Sequence, residues 1–229
     1  MSINTYRLAV FKNLLAGVAE EMGVVLGRSA YSVNIKERRD YSCAVFDGRG
    51  RMIAQAAHIP VHLGSMPLSV EAAIRKFSFK PDDVIVLNDP YQGGTHLPDV
   101  TFVRPVFAGN RLEFFTACRA HYSDIGGMAP GSMPVSTDLY QEGFILPPLR
   151  LTAEVRALLL ANVRNPREVE GDMAAQEACC ATGAKRLLDL LARYGRELRR
   201  YADALQAYAR RRMVSAIRKI PAETMRRRA

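Results

Sequence analysis

Cysteine and histidine are scarce in this 229-residue chain, with four of each. Cys43, Cys118, Cys179 and Cys180 form no C-x-x-C pair, which excludes a zinc ribbon and a thioredoxin-type redox site. They read as reduced thiols of a cytoplasmic protein, with Cys43 and Cys118 packed as small apolar residues in strands. No stretch approaches the ~20 apolar residues of a membrane span. Met1 to Tyr6 is polar and lacks a basic region followed by an apolar one, so no secretory leader is expected. There is no Walker A motif, no G-x-G-x-x-G and no G-x-S-x-G. If the activity needs ATP, this chain does not show the site.

What is present suits a folded domain. Apolar residues make up 48% and charged residues 24%, ordinary values that argue against disorder, collagen and disulfide scaffolds. A chain this long can bury roughly 70% of its unfolded surface. The net charge of +9 is uneven: residues 1–150 carry +1 and residues 151–229 carry +8. Runs at Arg210–Arg212 and Arg226–Arg228 could bind nucleic acid or an acidic partner. A solvated helix face plus a charged tail is the favoured reading. No RNA-binding or helix-turn-helix motif accompanies the charge, so nucleic acid is not an expected partner.

The hydrophobic pattern predicts an α+β fold. A mixed strand-and-loop part, residues 1–150, bears the candidate site. A helical part, 151–221, and a basic tail, 222–229, follow. Leu8, Phe11, Leu15, Val18 and Met22 recur at three- and four-residue steps, which predicts a helix over Thr5–Leu26. Ser29–Asn34 reads as a short extended stretch. Strands are expected at 41–46, 51–56, 84–87, 100–107 and 112–117, with a hairpin at Gly109-Asn110. A helix is expected at 66–77. Residues 121–150, rich in glycine and proline, read as a long functional loop. From Thr152 to Ile220 the chain reads as helical, ended by Pro221. Ala184, Leu187, Leu191, Tyr194, Leu198, Tyr201, Leu205 and Tyr208 form a heptad-like seam on which a partner could pack. Gly195 interrupts the seam, so one long helix and a broken pair both remain open.

All four histidines fall between residues 58 and 121, pointing to a polar site built by the first half. The densest segment is NDPYQGGTHLPD, residues 88–99. His96 and Asp99 are three apart and can meet across a turn. An imidazole nitrogen and a carboxylate oxygen suit Mn²⁺, Fe²⁺ or Zn²⁺. His121 could add a third ligand, and Asp124 completes an H-x-x-D…H-x-x-D pattern. Two loop-capping His/Asp pairs would show the same spacing. Glu37 or Asp40, in the polar run NIKERRDYSC, could supply another carboxylate, or that run could be a solvated turn with local ion pairs. His58 and His62 are four apart, but Pro60 argues against a helical zinc pair. His62 could bind substrate or cap the helix that starts near Met66.

The segments NIKERRDYSCAVFD, AQAAHIPVHLGSMP, NDPYQGGTHLPDVTF, AHYSDIGGMAPGSMP, EGFILPPLRL and ANVRNPREVEGDMAAQ, in this order, resemble the hydantoinase B/oxoprolinase family. That family holds the B subunits of ATP-dependent N-methylhydantoinases, the matching half of 5-oxoprolinase and subunits of acetone and acetophenone carboxylases. The resemblance implies a hydrolase subunit acting on cyclic amides. A partner A-type subunit would use ATP and Mg to phosphorylate the substrate's carbonyl oxygen. The activated species would then meet a divalent transition metal (Mn, Zn or Fe) in the B-type subunit, where water opens the ring. In the carboxylase branch an enolate-like species adds to activated CO₂ instead. The resemblance further implies His96, Asp99 and His121 as metal ligands, with Glu37 as a fourth. It casts Asp124 as the orienting residue and places His58 and His62 in the pocket wall. Family B subunits are longer, so the chain resembles an N-terminal portion: a split subunit, a truncated product or an inactive docking fragment. A separate chain carrying the remaining half is then a further expected partner.

Overall fold

The computed structural model describes residues 3–62, 64–129, 131 and 134–220. Its strands form one antiparallel sheet of order β2-β1-β5-β4-β3-β6. They are β1 (Tyr41–Asp47), β2 (Met52–Ala57), β3 (Ile85–Leu87), β4 (Asp99–Ala108), β5 (Arg111–His121) and β6 (Leu149–Arg150). The longer helices are α1 (Thr5–Ser29), α3 (Met66–Lys76), α5 (Ala153–Ala161), α6 (Pro166–Tyr194) and α7 (Arg196–Ile217). Two single turns, α2 (Val33–Lys36) and α4 (Leu139–Glu142), complete the described α-helices, beside 3₁₀ turns at Pro60–His62 and Pro90–Gln92. Strands dominate the first half and helices the second, so the expected α+β class is observed.

Successive side chains on a strand point to opposite faces, and here both faces are covered. Ala44, Phe46, Ile85, Val103 and Phe115 meet Met66, Val70 and Ala73 of α3. Cys43, Val45, Val100, Phe102 and Cys118 meet α1 and α6. All four cysteines are buried and free. On α1, Phe11, Leu15, Val18, Met22 and Leu26 are buried. Each such side chain stabilises by about 1.5–3 kcal/mol. The Asn4 cap, worth about 1 kcal/mol, accepts from the Arg7 N–H at 3.1 Å. Core burial, not capping, therefore fixes where α1 lies.

Three differences from the expected elements have local causes. Residues 29–34 are not one extended stretch: α1 runs through Ser29 and α2 begins at Val33. The link is pinned by the buried Asp172 carboxylate, which accepts the Tyr31 and Ser32 N–H groups at 2.7 and 3.0 Å. The helical third breaks after Ala161, because Pro166 opens α6 in its first turn and Asn165 caps it. It breaks again at Gly195, whose φ of 53° is left-handed. The seam from Ala184 to Leu205 is also not a free face. It closes on the chain's own α1, where Phe11 stacks on Tyr201 at 4.6 Å and meets Tyr194 edge-on at 5.1 Å. Beyond Gln206 every residue of α7 is exposed. Pro221 and the 222–229 tail lie outside the described residues. No helix among the described residues is long and apolar enough to cross a membrane.

Candidate metal centre

The site sits where β4 begins and β5 ends. Asp99 and His121 are directly opposite in the ladder. Their neighbours Val100 and Ala120 lie in the core under α1 and α6, so by alternation Asp99 and His121 face the α3 side. His96 arrives over a tight turn closed by the Asp99 N–H on the His96 carbonyl, 3.1 Å. β5 extends past the expected 112–117 as far as His121, and that extension carries the histidine to Asp99.

The three residues converge closely. Asp99 Oδ1 lies 2.9 Å from His96 Nε2 and 3.0 Å from His121 Nδ1, and the two ring nitrogens are 3.2 Å apart. One donor atom from each residue falls within 4.8 Å of the others. Donors around one small cation, with bonds of about 2.0–2.2 Å, sit about 3.0–3.5 Å apart, so the spacing fits a shared divalent ion. The second oxygen, Oδ2, accepts from the Thr95 hydroxyl at 2.7 Å. The fully buried His62 Nε2 lies 3.2 Å from Oδ2, an ion-pair contact without hydrogen-bond alignment. His62 Nδ1 is set by Ser42 Oγ at 3.1 Å.

The electrostatics agree. Burial alone would raise the Asp99 pKa, but the imidazoles of His121, His62 and His96 outweigh it and hold the carboxyl well below its usual range. The Asp99 hydrogen bond raises the pKa of His96 against its burial. Asp99 is buried while the His96 side chain is 37% exposed, so the trio opens to solvent at His96.

Arg119 braces the site two residues before His121. It is fully buried and has no carboxylate in hydrogen-bond contact. Its Nε donates to Thr101 Oγ1 at 2.8 Å, and Nη1 and Nη2 to Ser65 and Ser69 at 2.6 Å each. Nη2 also donates to the Gly93 carbonyl at 3.2 Å. Burial lowers its pKa to about 10, opposed by the nearby Asp99, so it stays charged at neutral pH. The guanidinium thereby ties the α3 entrance after His62 and the 90–95 loop before His96 to β5.

The other expected residues lie elsewhere. Asp124 does not reach an imidazole. Its Oδ1 accepts from the Gly126 N–H and Arg164 Nη1, both at 2.9 Å, and Oδ2 from the Arg164 N–H; it anchors the 124–127 loop to the α5–α6 link. Glu37 ends α2 as an exposed cap and is not brought to the trio. His58 packs on Tyr41 with ring centroids 4.5 Å apart, and Tyr41 belongs to the α1 face. His58 therefore lies across the sheet from His62. Asp40 lies beside the trio: its backbone carbonyl accepts the His121 N–H at 3.0 Å, and its charge, after those of Asp99 and Glu142, helps raise the His96 pKa. Its Oδ1 is buried without a partner. Sequence reasoning passed over Arg119, although a lone arginine inside the apolar run 114–120 was a visible signal.

Fold and donor trio together define an α+β chain with a His/Asp cluster at one end of an antiparallel sheet. The chain belongs to the hydantoinase B/oxoprolinase family, which it matches over residues 4–229. The β subunit of caprolactamase from Pseudomonas jessenii is 35% identical over 230 residues, covering 96% of this chain and 40% of its own length. The crystal structure of that ATP-dependent caprolactamase superposes with a TM-score of 0.86 at 34% identity. The 5-oxoprolinase of Saccharomyces cerevisiae is 45% identical over 147 residues, 62% of this chain and 11% of its own length. A nucleotide-free acetone carboxylase shares the fold, with a TM-score of 0.78 at 19% identity over 87% of this chain and 28% of that one. The chain thus spans well under half the length of these relatives.

Proposed function

We propose that this chain is the metal-bearing portion of a B-type subunit in an ATP-dependent cyclic-amide hydrolase. The observation that carries the reading is the convergence of His96, Asp99 and His121, with donor atoms 2.9–3.2 Å apart. These three would hold a divalent Mn, Zn or Fe ion, with Asp40 rather than Glu37 as the neighbouring carboxylate. Bound there, the metal supplies Lewis acidity toward a carbonyl or phosphoryl oxygen, or an activated water.

The chain's own residues do the positioning. Thr95 fixes one oxygen of Asp99 and leaves the other to the two imidazoles. Ser42 sets the His62 ring so that Nε2 faces Asp99. Arg119 holds both approaching loops and places a positive charge behind the carboxylate. His96 is the member that an incoming substrate meets. Residues 1–150 carry the site, and the helical region 151–221 backs β4 and β5 through α6. ATP and Mg belong to an A-type partner subunit, which phosphorylates the amide oxygen before ring opening.

Elemental analysis of the purified chain beside His96→Ala and His121→Ala tests the centre. The expected result is about one transition metal per chain, absent from both variants. A folded wild-type chain without metal overturns the reading. With an A-type partner, ATP-dependent opening of a hydantoin, 5-oxoproline or caprolactam is the expected activity. ATP- and bicarbonate-dependent consumption of acetone would assign the carboxylase branch instead, and a loaded complex inert to all of these would make the chain a docking fragment.

A further inference from the structure

A second feature lies across the sheet from the trio and uses none of its residues. A cavity of about 450 Å³ opens between α1, α2 and the turn after β2, lined by Arg28, Lys36, Glu37, Arg39, Tyr41 and His58. Lys36, Glu37, Arg39 and Tyr41, from the NIKERRDY run, meet His58 there. Its back wall is carved into α1. A Cβ on Gly23 would lie 2.2 Å from the His58 ring, and one on Gly27 would lie 2.5 Å from the Tyr41 hydroxyl. Because both positions are glycine, one turn apart, the two rings lie flat against the helix. The Tyr41 hydroxyl donates to the Gly23 carbonyl at 2.9 Å. His58 Nδ1 is buried with no partner in hydrogen-bonding geometry.

The rim carries a net positive charge. Arg28, Lys36 and Arg39 are exposed, and among the described residues none of the three makes an ion pair or side-chain hydrogen bond. Glu37 is the one carboxylate of the lining. Glu20 lies 3.8 Å from His58 Nε2 and does not line the cavity. Arg39 has a φ of 55°, the one positive value among the described non-glycine residues. That conformation costs about 1–2 kcal/mol. It is held by the Tyr41 N–H on the Arg39 carbonyl, 2.9 Å, and the Asp40 N–H on the Asn34 carbonyl, 3.0 Å. The result sends Arg39 to the cavity while Asp40 stays beside His96 and His121.

We propose that this cavity is an anion-binding site for a phosphoryl group. Three unpaired cations favour an oxyanion carrying about −1.5 to −2 charges over a singly charged carboxylate, and two guanidinium forks match phosphate oxygens pairwise. The proposal does not depend on the metal reading.

The test is calorimetric titration of the metal-stripped full chain with inorganic phosphate at fixed ionic strength, repeated on His96→Ala so that no metal can recruit the anion. The expected result is one saturable site in both, with His58 ring ¹⁵N resonances shifting on titration. Arg28→Gln and Arg39→Gln each weaken binding about tenfold. Arg210→Gln/Arg211→Gln, which removes exposed cations of α7, leaves it unchanged. Arg28 and Arg39 are exposed, so their variants keep the wild-type circular dichroism. Absence of saturable binding, binding that survives Arg28→Gln/Arg39→Gln, or acetate binding tighter than phosphate would each overturn the proposal.

Discussion

The donor trio and the cationic cavity start from neighbouring residues and finish on opposite faces of one sheet. Asp40 stands beside the trio and Arg39 at the cavity, Ser42 holds His62, and Tyr41 packs on His58. The contents of the two sites differ as sharply as their positions. In the trio, donors crowd within hydrogen-bond distance of one another, and a single carboxylate is shared by three imidazoles. At the cavity the cations are exposed and, among the described residues, unpaired. A crowded set of lone pairs is relieved by a cation, and a ring of unpaired cations is relieved by an anion. One strand step therefore separates two opposite binding chemistries, because alternation sends successive side chains to different faces.

Arg119→Met should show the largest effect and should strike the trio alone. The change orphans Thr101, Ser65, Ser69 and the Gly93 carbonyl in one stroke, at a cost of about 2–4 kcal/mol. For a chain of this size that lowers Tm by about 5–12 °C in a calorimetric scan. Loosening the loops that carry His62 and His96 should weaken metal binding about 10–100-fold, read by competition with a chelator and by the visible spectrum of the Co²⁺-loaded chain. Arg119→Lys keeps the charge and should recover part of the metal affinity. Phosphate binding at the cavity should not move. If it weakens with the metal, the two faces are not independent.

Much of this was legible in the sequence. Hydrophobic periodicity predicts α1, and alternation with turn residues predicts the strands around Gly109-Asn110. The spacing of His96, Asp99 and His121 marks the trio before any fold is known. Histidine density did not reveal which face each histidine takes. His58 and His62 are equally polar and four residues apart, yet the irregular segment between them puts one on each side. Asp124 has the same H-x-x-D spacing as Asp99, but Arg164, forty residues on, claims its carboxylate. Glu37 and Asp40 looked equivalent until the left-handed Arg39 turned one of them away. In each case a contact distant in sequence decides the role, and local pattern carries no trace of it.

A paired glycine substitution gives a smaller and more pointed comparison. At Gly94 a new Cβ would lie 2.1 Å from the Asn88 carbonyl oxygen, which is backbone and cannot swing aside. Gly94→Ala should cost about 1–3 kcal/mol and weaken metal binding, because the loop must shift just before His96. At Gly23 the obstacle is the His58 ring, a side chain that can rotate. Gly23→Ala should cost less than about 1 kcal/mol, since alanine also favours the helix. It should still reduce phosphate affinity several-fold by pushing the ring into the cavity. Titrating both ligands against both variants should give opposite patterns, and one variant impairing both ligands would break the separation.

The smallest expected effect is a pH dependence confined to the cavity. Burial lowers the pKa of His58 below its ordinary value, against the pull of Glu20 and the Ala56 backbone. The unfolded chain therefore binds this proton at higher pH than the folded one. Stability from this group is present above about pH 6.5 and is lost as pH falls through the folded pKa. His96 works in the opposite sense: its raised pKa gives stability below about pH 6.5 that fades as pH rises. The difference between wild type and His58→Gln isolates the first effect, so denaturant unfolding of the metal-free chain should decline less steeply from pH 7 to pH 5 in the variant. Saturating phosphate should shrink that difference, because an anion beside the ring favours its charged form. A difference that phosphate leaves untouched would place the anion away from His58 and confine the cavity's action to its arginine rim.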